Sequence, residues 1–290
     1  MRKIYLFFLL AITFTAHAQD SLYIYKAGIV VFKSAMKSVD SVRFRPIAFD
    51  SLYLYQTGGV SYKNSLASTD SITFTKPTKP IPSTTTDVDG NVYPVVKIGT
   101  QVWMAENLRT TKYNDSTAIP LVISQIDWYL NYTDAKQLPM MYWPSNDPIT
   151  YSANKYGALY NWYAVSATTN GNKNVCPVGW HVPTNAEFTV LTDYLGGEPV
   201  AGGKLKATGV VQWNSPNTSA TNSSGFTALP AGGRTYDGQY NGPGAHAYFW
   251  VSTSRFSSEA WYRDIAYNLN LVYNLSYSKQ AGYSVRCIMD

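Results

Sequence analysis

The sequence predicts an α+β fold with few helices and antiparallel sheets, preceded by a small all-β repeat region. Three observations carry that reading. A 30-residue internal repeat begins at Asp20, one helix near position 184 is marked by its own capping residues, and the chain after Phe249 has strand composition throughout. Charged residues make up 14% of the chain and aromatics 15%, with 24 Tyr and 8 Trp. Disordered chains are poor in aromatics, so this balance marks a packed, turn-rich protein with aromatic surfaces.

The first element is a targeting signal. Arg2 and Lys3 form a short positive region, residues 4–14 form an apolar run too short to span a bilayer comfortably, and Ala16-His17-Ala18 supplies a small-x-small cleavage pattern. Residues 1–18 therefore read as a cleaved signal peptide, with the mature chain of 272 residues (290 less 18) starting at Gln19. The residue directly after the cleavage site is Gln19 and not a cysteine, so a lipoprotein anchor is not expected, nor is a membrane span. The protein is expected to be secreted or held at the cell surface.

Residues 19–75 hold two repeat units. Asp20-Ser21-Leu22-Tyr23-Ile24-Tyr25 returns as Asp50-Ser51-Leu52-Tyr53-Leu54-Tyr55, and 12 of 25 positions are identical between 20–44 and 50–74. Each unit reads as a strand, a glycine turn (Gly28; Gly58-Gly59), a second strand and a third short strand. Units this small cannot bury a core alone, so they are expected to pack together or on the rest of the chain. They resemble short β-repeat segments of exported proteins in Bacteroidetes-type bacteria. Residues 76–86, with Pro77, Pro80 and Pro82 followed by Ser83-Thr84-Thr85-Thr86, read as an extended polar linker.

The main domain is expected to occupy residues 87–290. Asp87-Val88-Asp89-Gly90-Asn91 has the wrong glycine and Glu positions for an EF-hand loop and reads as an Asp-Gly turn. Val92–Ile98 and Gln101–Met104 follow as strands joined by Gly99-Thr100. Thr184-Asn185-Ala186-Glu187 is a capping box, with Phe188, Leu191 and Leu195 as the buried stripe and Gly196-Gly197 as the stop. His181, between Trp180 and the Pro183 that opens this helix, has the chemistry of a base but no nucleophile pattern beside it, and reads as structural. Residues 260–267, 271–277 and 282–289 read as three antiparallel strands.

Cys176 and Cys287 are the two cysteines of an exported chain and are expected to form a disulfide closing a long loop. Only His181 and His246 remain as histidines in the mature chain, too few for zinc, and no cofactor motif is present. The net charge of +5 falls to +3 when Arg2 and Lys3 leave, and no Lys/Arg cluster marks a nucleic-acid partner.

Long ordered motifs carry a resemblance. They are Asp89-Gly90-Asn91-Val92-Tyr93, Ile98-Gly99-Thr100-Gln101-Val102-Trp103-Met104-Ala105-Glu106-Asn107-Leu108, Tyr156-Gly157-Ala158-Leu159-Tyr160-Asn161-Trp162 and the stretch from Cys176-Pro177 through Gly179-Trp180-His181-Val182-Pro183-Thr184. Gly225-Phe226-Thr227-Ala228-Leu229-Pro230 and Ser284-Val285-Arg286-Cys287 complete the set. Residues 87–290 thereby resemble the Fibrobacter succinogenes major paralogous domain family of secreted bacterial proteins. The resemblance implies a compact domain similar to C-type-lectin-like and formylglycine-generating-enzyme-like folds, and it carries no catalytic residue.

The expected function is non-enzymatic binding of a carbohydrate or protein ligand. The candidate ligand face is Tyr262, Tyr267, Asn268, Asn270, Tyr273, Asn274, Ser276 and Tyr277, because Tyr supplies contact area at low entropic cost and Asn and Ser supply adaptable hydrogen bonds. The alternative is a structural subunit of a surface assembly, docked through the strand edges of the N-terminal repeats. An oxidase of the formylglycine-generating type would need reactive cysteines, and the two present are expected to be bonded to each other.

Overall fold

A computed structural model describes residues 81–133, 137–241 and 243–290, together with the backbone of six strands between positions 21 and 73. The signal peptide, the repeat turns at Gly28 and Gly58 and the start of the linker lie outside the described residues. The chain divides into two compact units, Met1–Pro80 and Ile81–Asp290.

In the first unit the strands are β1 (Ser21–Lys26), β2 (Ile29–Ala35), β3 (Ser41–Phe44), β4 (Ser51–Gln56), β5 (Gly59–Ser65) and β6 (Ser71–Thr73). β1 pairs with β2 and β4 with β5, each antiparallel. The third strands cross over: β3 pairs with β4, and β6 pairs with β1. The registers of the two crossings match after a shift of one repeat, with Val42 opposite Leu54 and Ile72 opposite Ile24.

The second unit is a mixed helix and sheet structure in which every named strand pair is antiparallel. β7 (Thr84–Thr86), β8 (Val92–Ile98), β9 (Gln101–Met104), β12 (Trp180–His181) and β19 (Ile288–Met289) form one sheet in the order β12-β19-β9-β8-β7. Thr84–Thr86, inside the stretch read from sequence as linker, is thus a strand of this sheet, pairing with Val92, Tyr93 and Pro94. The turn between β7 and β8 is held by Asp87, whose carboxylate accepts from the backbone N–H of Asp89 and Asn91 and from the Tyr93 hydroxyl at 2.6 Å. β10 (Met141–Tyr142), β11 (Leu159–Asn161), β13 (Gly233–Arg234), β14 (Tyr240–Asn241) and β18 (Gly282–Tyr283) form a second sheet in the order β10-β11-β18-β13-β14. A three-stranded sheet of β15 (His246–Ser254), β16 (Glu259–Ala266) and β17 (Val272–Ser278) completes the unit.

The expected third strand over 282–289 is two strands in two sheets. β18 pairs with β11 and β13, whereas β19 pairs with β9 and β12. The residues between them cross from one sheet to the other, and Arg286, wholly buried there, bonds to the backbone carbonyls of Met104 at the end of β9 and of Thr227 in a distant loop instead of presenting a side chain to a sheet face.

The helices are α1 (Gln125–Thr133), α2 (Pro148–Ala153), α3 (Trp162–Val165), α4 (Asn185–Tyr194) and α5 (Glu198–Leu205). α4 carries the expected capping box: the Glu187 N–H donates to Thr184 Oγ1, and Glu187 Oε2 accepts from the Thr184 N–H at 2.7 Å. Phe188 and Leu191 are buried, and the edge of Trp103 meets the Phe188 ring at 5.5 Å. α5 was invisible in the sequence because Gly202 and Gly203 sit inside it. They are required by close approach: a Cβ on Gly202 would lie 2.6 Å from the Leu271 carbonyl oxygen, and one on Gly203 would lie 2.4 Å from that of Ser219.

Two large apolar clusters flank the β15–β17 sheet. One gathers Ile98, Trp103, Phe188, Phe226 and Phe249 under α4 and α5, and the other gathers Tyr93, Met104, Tyr160, Trp162, Trp250 and Tyr283 with the disulfide. Cys176 and Cys287 are bonded, with their Cα atoms 5.9 Å apart and 111 positions between them in sequence.

Candidate functional site

Strand alternation sorts the β15–β17 sheet into two faces of different chemistry. Cross-strand partners set Phe249 beside Arg263 and Asn274, and Tyr248 beside Asp264 and Tyr273. The first face packs under α4. There Arg263, fully buried, donates to the side chains of Asn185, Asn274 and Thr189, and burial pushes its pKa down to about 10.

The opposite face carries a row of aromatic rings. His246 stacks on Tyr248 with ring centres 5.2 Å apart, Tyr248 lies 4.9 Å from Tyr283, Tyr283 6.4 Å from Tyr277, and Tyr277 6.3 Å from Tyr236. Tyr262 and Trp250 underlie the row, at 4.9 Å and 4.6 Å from Tyr283. The backbone is held rigidly beneath them, since the Trp250 indole donates to the Tyr160 carbonyl and the Trp162 indole to that of Val251, both at 2.9 Å.

Asp264 stands among these rings. Its Oδ1 is 2.8 Å from His246 Nδ1, while its Oδ2 accepts no hydrogen bond from the described residues. The Tyr248 and Tyr277 hydroxyls likewise make no hydrogen bond to a described residue, and neither is sealed from solvent. Burial, reinforced by the nearby Asp264 carboxylate, raises the Tyr248 and Tyr283 phenols above the usual range and pushes Tyr262 up to about 12. These three rings are therefore neutral hydroxyl donors at neutral pH. The hydrogen bond to Asp264 raises the pKa of His246, and burial works against it.

The row runs into a cleft of about 450 Å³ lined by Gln125, Ile126 and Tyr129 of α1 and by Tyr236 and Asp237 of the β13–β14 hairpin. Arg234 fixes both walls from behind. Its guanidinium donates to the carbonyls of Val122, Ile123 and Ser124 on the α1 side and of Gly238 on the hairpin side. It is sandwiched by Trp128 at 4.4 Å and Tyr142 at 4.1 Å, and burial pushes its pKa down to about 10.

The residues read from sequence as a ligand face do not share one surface. Tyr262, Tyr273 and Tyr277 lie on the aromatic face, where Tyr262 is buried, Tyr277 half-buried and Tyr273 exposed. Asn274 and Ser276 point to the other face, the first held by Arg263 and the second by Arg255 and Glu259. Tyr267, Asn268 and Asn270 belong to the loop after β16, where Tyr267 packs on the apolar cluster and Asn270 Oδ1 accepts the Gly203 N–H. His246, Tyr248, Asp264, Tyr283 and Tyr236 were missed. Alternation along 246–250 puts His246, Tyr248 and Trp250 on one side, but nothing local pairs that strand with Asp264 or Tyr283.

The residues with acid–base potential elsewhere are engaged structurally. His181 bridges Asp290 at 2.7 Å and Glu187 at 3.0 Å, and Glu187 is already committed to the α4 cap. Lys206, wholly buried, spends its ammonium on the carbonyls of Thr218, Ala266, Tyr267 and Leu269. Among the described residues no cluster of three or more His, Cys, Asp or Glu could hold a metal ion, and no helix is long and apolar enough to cross a membrane.

The motif blocks of the sequence meet in space. Gly157 has φ +72°, and a Cβ there would lie 2.5 Å from the Leu108 carbonyl oxygen, so the Tyr156-Gly157-Ala158 and Asn107-Leu108 blocks abut through a glycine. Asn107 donates to the Tyr156 carbonyl at 2.8 Å and accepts from Arg286 at 2.7 Å. No curated protein and no solved structure matches the chain. Residues 96–289 match the Fibrobacter succinogenes major domain, two thirds of the chain and nearly all of its second compact unit, and the protein belongs to that family.

Proposed function

We propose that this protein is a secreted, non-enzymatic binding module whose ligand face is the aromatic side of the β15–β17 sheet. The observation that carries the reading is the open hydrogen-bonding capacity there: the Tyr248 and Tyr277 hydroxyls and Asp264 Oδ2 have no partner among the described residues within a continuous row of rings. Convergent polar groups set among aromatic surface are the usual make-up of a ligand site. The finer fold reading, a C-type-lectin-like domain behind a small all-β repeat region, is part of this proposal, as is export by the signal peptide at residues 1–18. The mutual bonding of Cys176 and Cys287 supports binding over oxidase chemistry, which would need a free thiolate.

The test is capture by the mature protein, residues 19–290, on glycan and protein arrays. Tyr248→Ala and Tyr277→Ala are expected to abolish capture while leaving the far-ultraviolet circular dichroism unchanged. Full capture by both folded variants would overturn the reading.

A second reading, a surface-assembly subunit docked through the N-terminal repeats, has support in the reciprocal pairing of β3 with β4 and β6 with β1, which ties the repeats into one unit. Deletion of residues 20–75 is then expected to abolish association or surface retention and to leave ligand capture intact.

A further inference from the structure

We infer that the aromatic face and the α1 cleft form one extended subsite array for a neutral oligosaccharide, bound without a metal ion. The inference rests on the proposed binding function and names its ligand class.

Three features of the surface select that ligand. The first is its shape. The row from His246 through Tyr248, Tyr283 and Tyr277 to Tyr236 advances in centroid steps of 5.2, 4.9, 6.4 and 6.3 Å and ends in the cleft beside Tyr129. Tyr283 is buried and leaves Tyr248, Tyr277 and Tyr236 as the accessible rings of an elongated line that ends in an open cleft, an outline suited to a chain of small rings rather than to the broad, flat patch of a protein partner.

The second is the alternation of apolar faces with hydroxyl and carboxylate groups. Aromatic faces are electron-rich, and the axial C–H groups of a pyranose carry partial positive charge, so the two attract while hydrophobic area is buried. Sugar hydroxyls both donate and accept. Asp264 Oδ2 offers an acceptor, and the Tyr248 and Tyr277 hydroxyls offer a donor and an acceptor each, none used within the described protein.

The third is charge. The groups that face the track carry carboxylates at both ends, Asp264 beside His246 and Asp237 beside Tyr236. Arg234 is buried behind the cleft and bonds four carbonyls, and His246 is paired with Asp264. An anionic glycan would meet like charge at Asp237, which is destabilising. A neutral one meets acceptors for its hydroxyls. The absence of a three-carboxylate cluster among the described residues places recognition on these side chains themselves rather than on a bridging cation.

The experiment is isothermal titration of the mature protein with the cello-, manno-, xylo- and chito-oligosaccharide series, from one to six residues, with and without EDTA. For at least one series the affinity is expected to rise with length, reach a plateau once the track is filled and stay unchanged in EDTA. Tyr277→Phe, which keeps the ring and removes one hydroxyl, is expected to weaken binding several-fold, and Tyr236→Ala to weaken long members by about five- to tenfold while sparing short ones less dependent on the cleft. No binding by any of the four series, loss of binding in EDTA or a preference for an anionic polysaccharide would each overturn the inference. Capture of a protein ligand that is lost on Tyr277→Ala would sink the oligosaccharide and leave the binding face standing. Capture indifferent to Tyr248 and Tyr277 would remove both.

Discussion

The Nε–H of Arg286 donates to Asn107 Oδ1 at 2.7 Å, joining residues 179 positions apart in a site from which water is excluded. The same guanidinium reaches the carbonyls of Met104 at 3.1 Å and Thr227 at 2.8 Å and also bonds that of Phe226. It lies over the Phe226 ring at 4.6 Å. Burial pushes its pKa down to about 9, so it remains a cation at neutral pH. One side chain thus bonds three carbonyls, one at the end of β9 and two in the loop at Phe226-Thr227.

Arg286→Met should therefore leave buried acceptors without donors, and the expected loss is about 3 kcal/mol or more. Urea unfolding checks it: the midpoint falls while the slope stays fixed, because the surface exposed on unfolding is unchanged. Asn107→Ala should cost less, about 1–3 kcal/mol, since Arg286 keeps its carbonyls and loses one partner. A variant of Arg286 as stable as the parent would show that the network contributes nothing net.

The disulfide closes a loop with 111 positions between its ends. Constraining a loop of that length in the unfolded chain is worth about 4–5 kcal/mol in the chain-entropy picture. Cys176→Ala with Cys287→Ala should lower stability by that order, and reductant should reproduce the loss in the parent. Thiol counting on the unfolded, unreduced protein is expected to find none.

The pH dependence of the aromatic face should be dominated by His246, which faces Asp264 and Tyr248. Its folded pKa is raised by the hydrogen bond to Asp264. The stabilisation from this pair is fully present below the unfolded histidine value of about 6.5 and is lost as pH rises through the folded pKa. An NMR titration of the His246 ring protons should give a midpoint above about 6.5 in the parent. In Asp264→Asn the midpoint should fall below that of the parent, because burial then acts alone. An unshifted midpoint in the variant would separate the two residues.

The sequence by itself determined the local structure of the second unit wherever one or two residues impose a conformation. The α4 cap needs only Thr184 and Glu187, the β8–β9 hairpin needs only its turn at Gly99-Thr100, and the disulfide needs only two cysteines. The family was legible for the same reason, since its motifs are contiguous blocks. The tertiary structure alone decided which blocks meet. Arg286 looks like an exposed strand residue until its partners at Asn107, Phe226 and Thr227 are brought around it, and residues 282–289 look like one strand until two sheets claim its ends. The candidate site follows the same division. Tyrosine and asparagine enrichment points to β16 and β17, but a period of two divides neighbours between opposite faces, and cross-strand register then assigns Tyr273 to Asp264 and Asn274 to Arg263. Composition counts residues along the chain, whereas a binding face is a set of side chains sharing one normal, and only the pairing of distant strands fixes that.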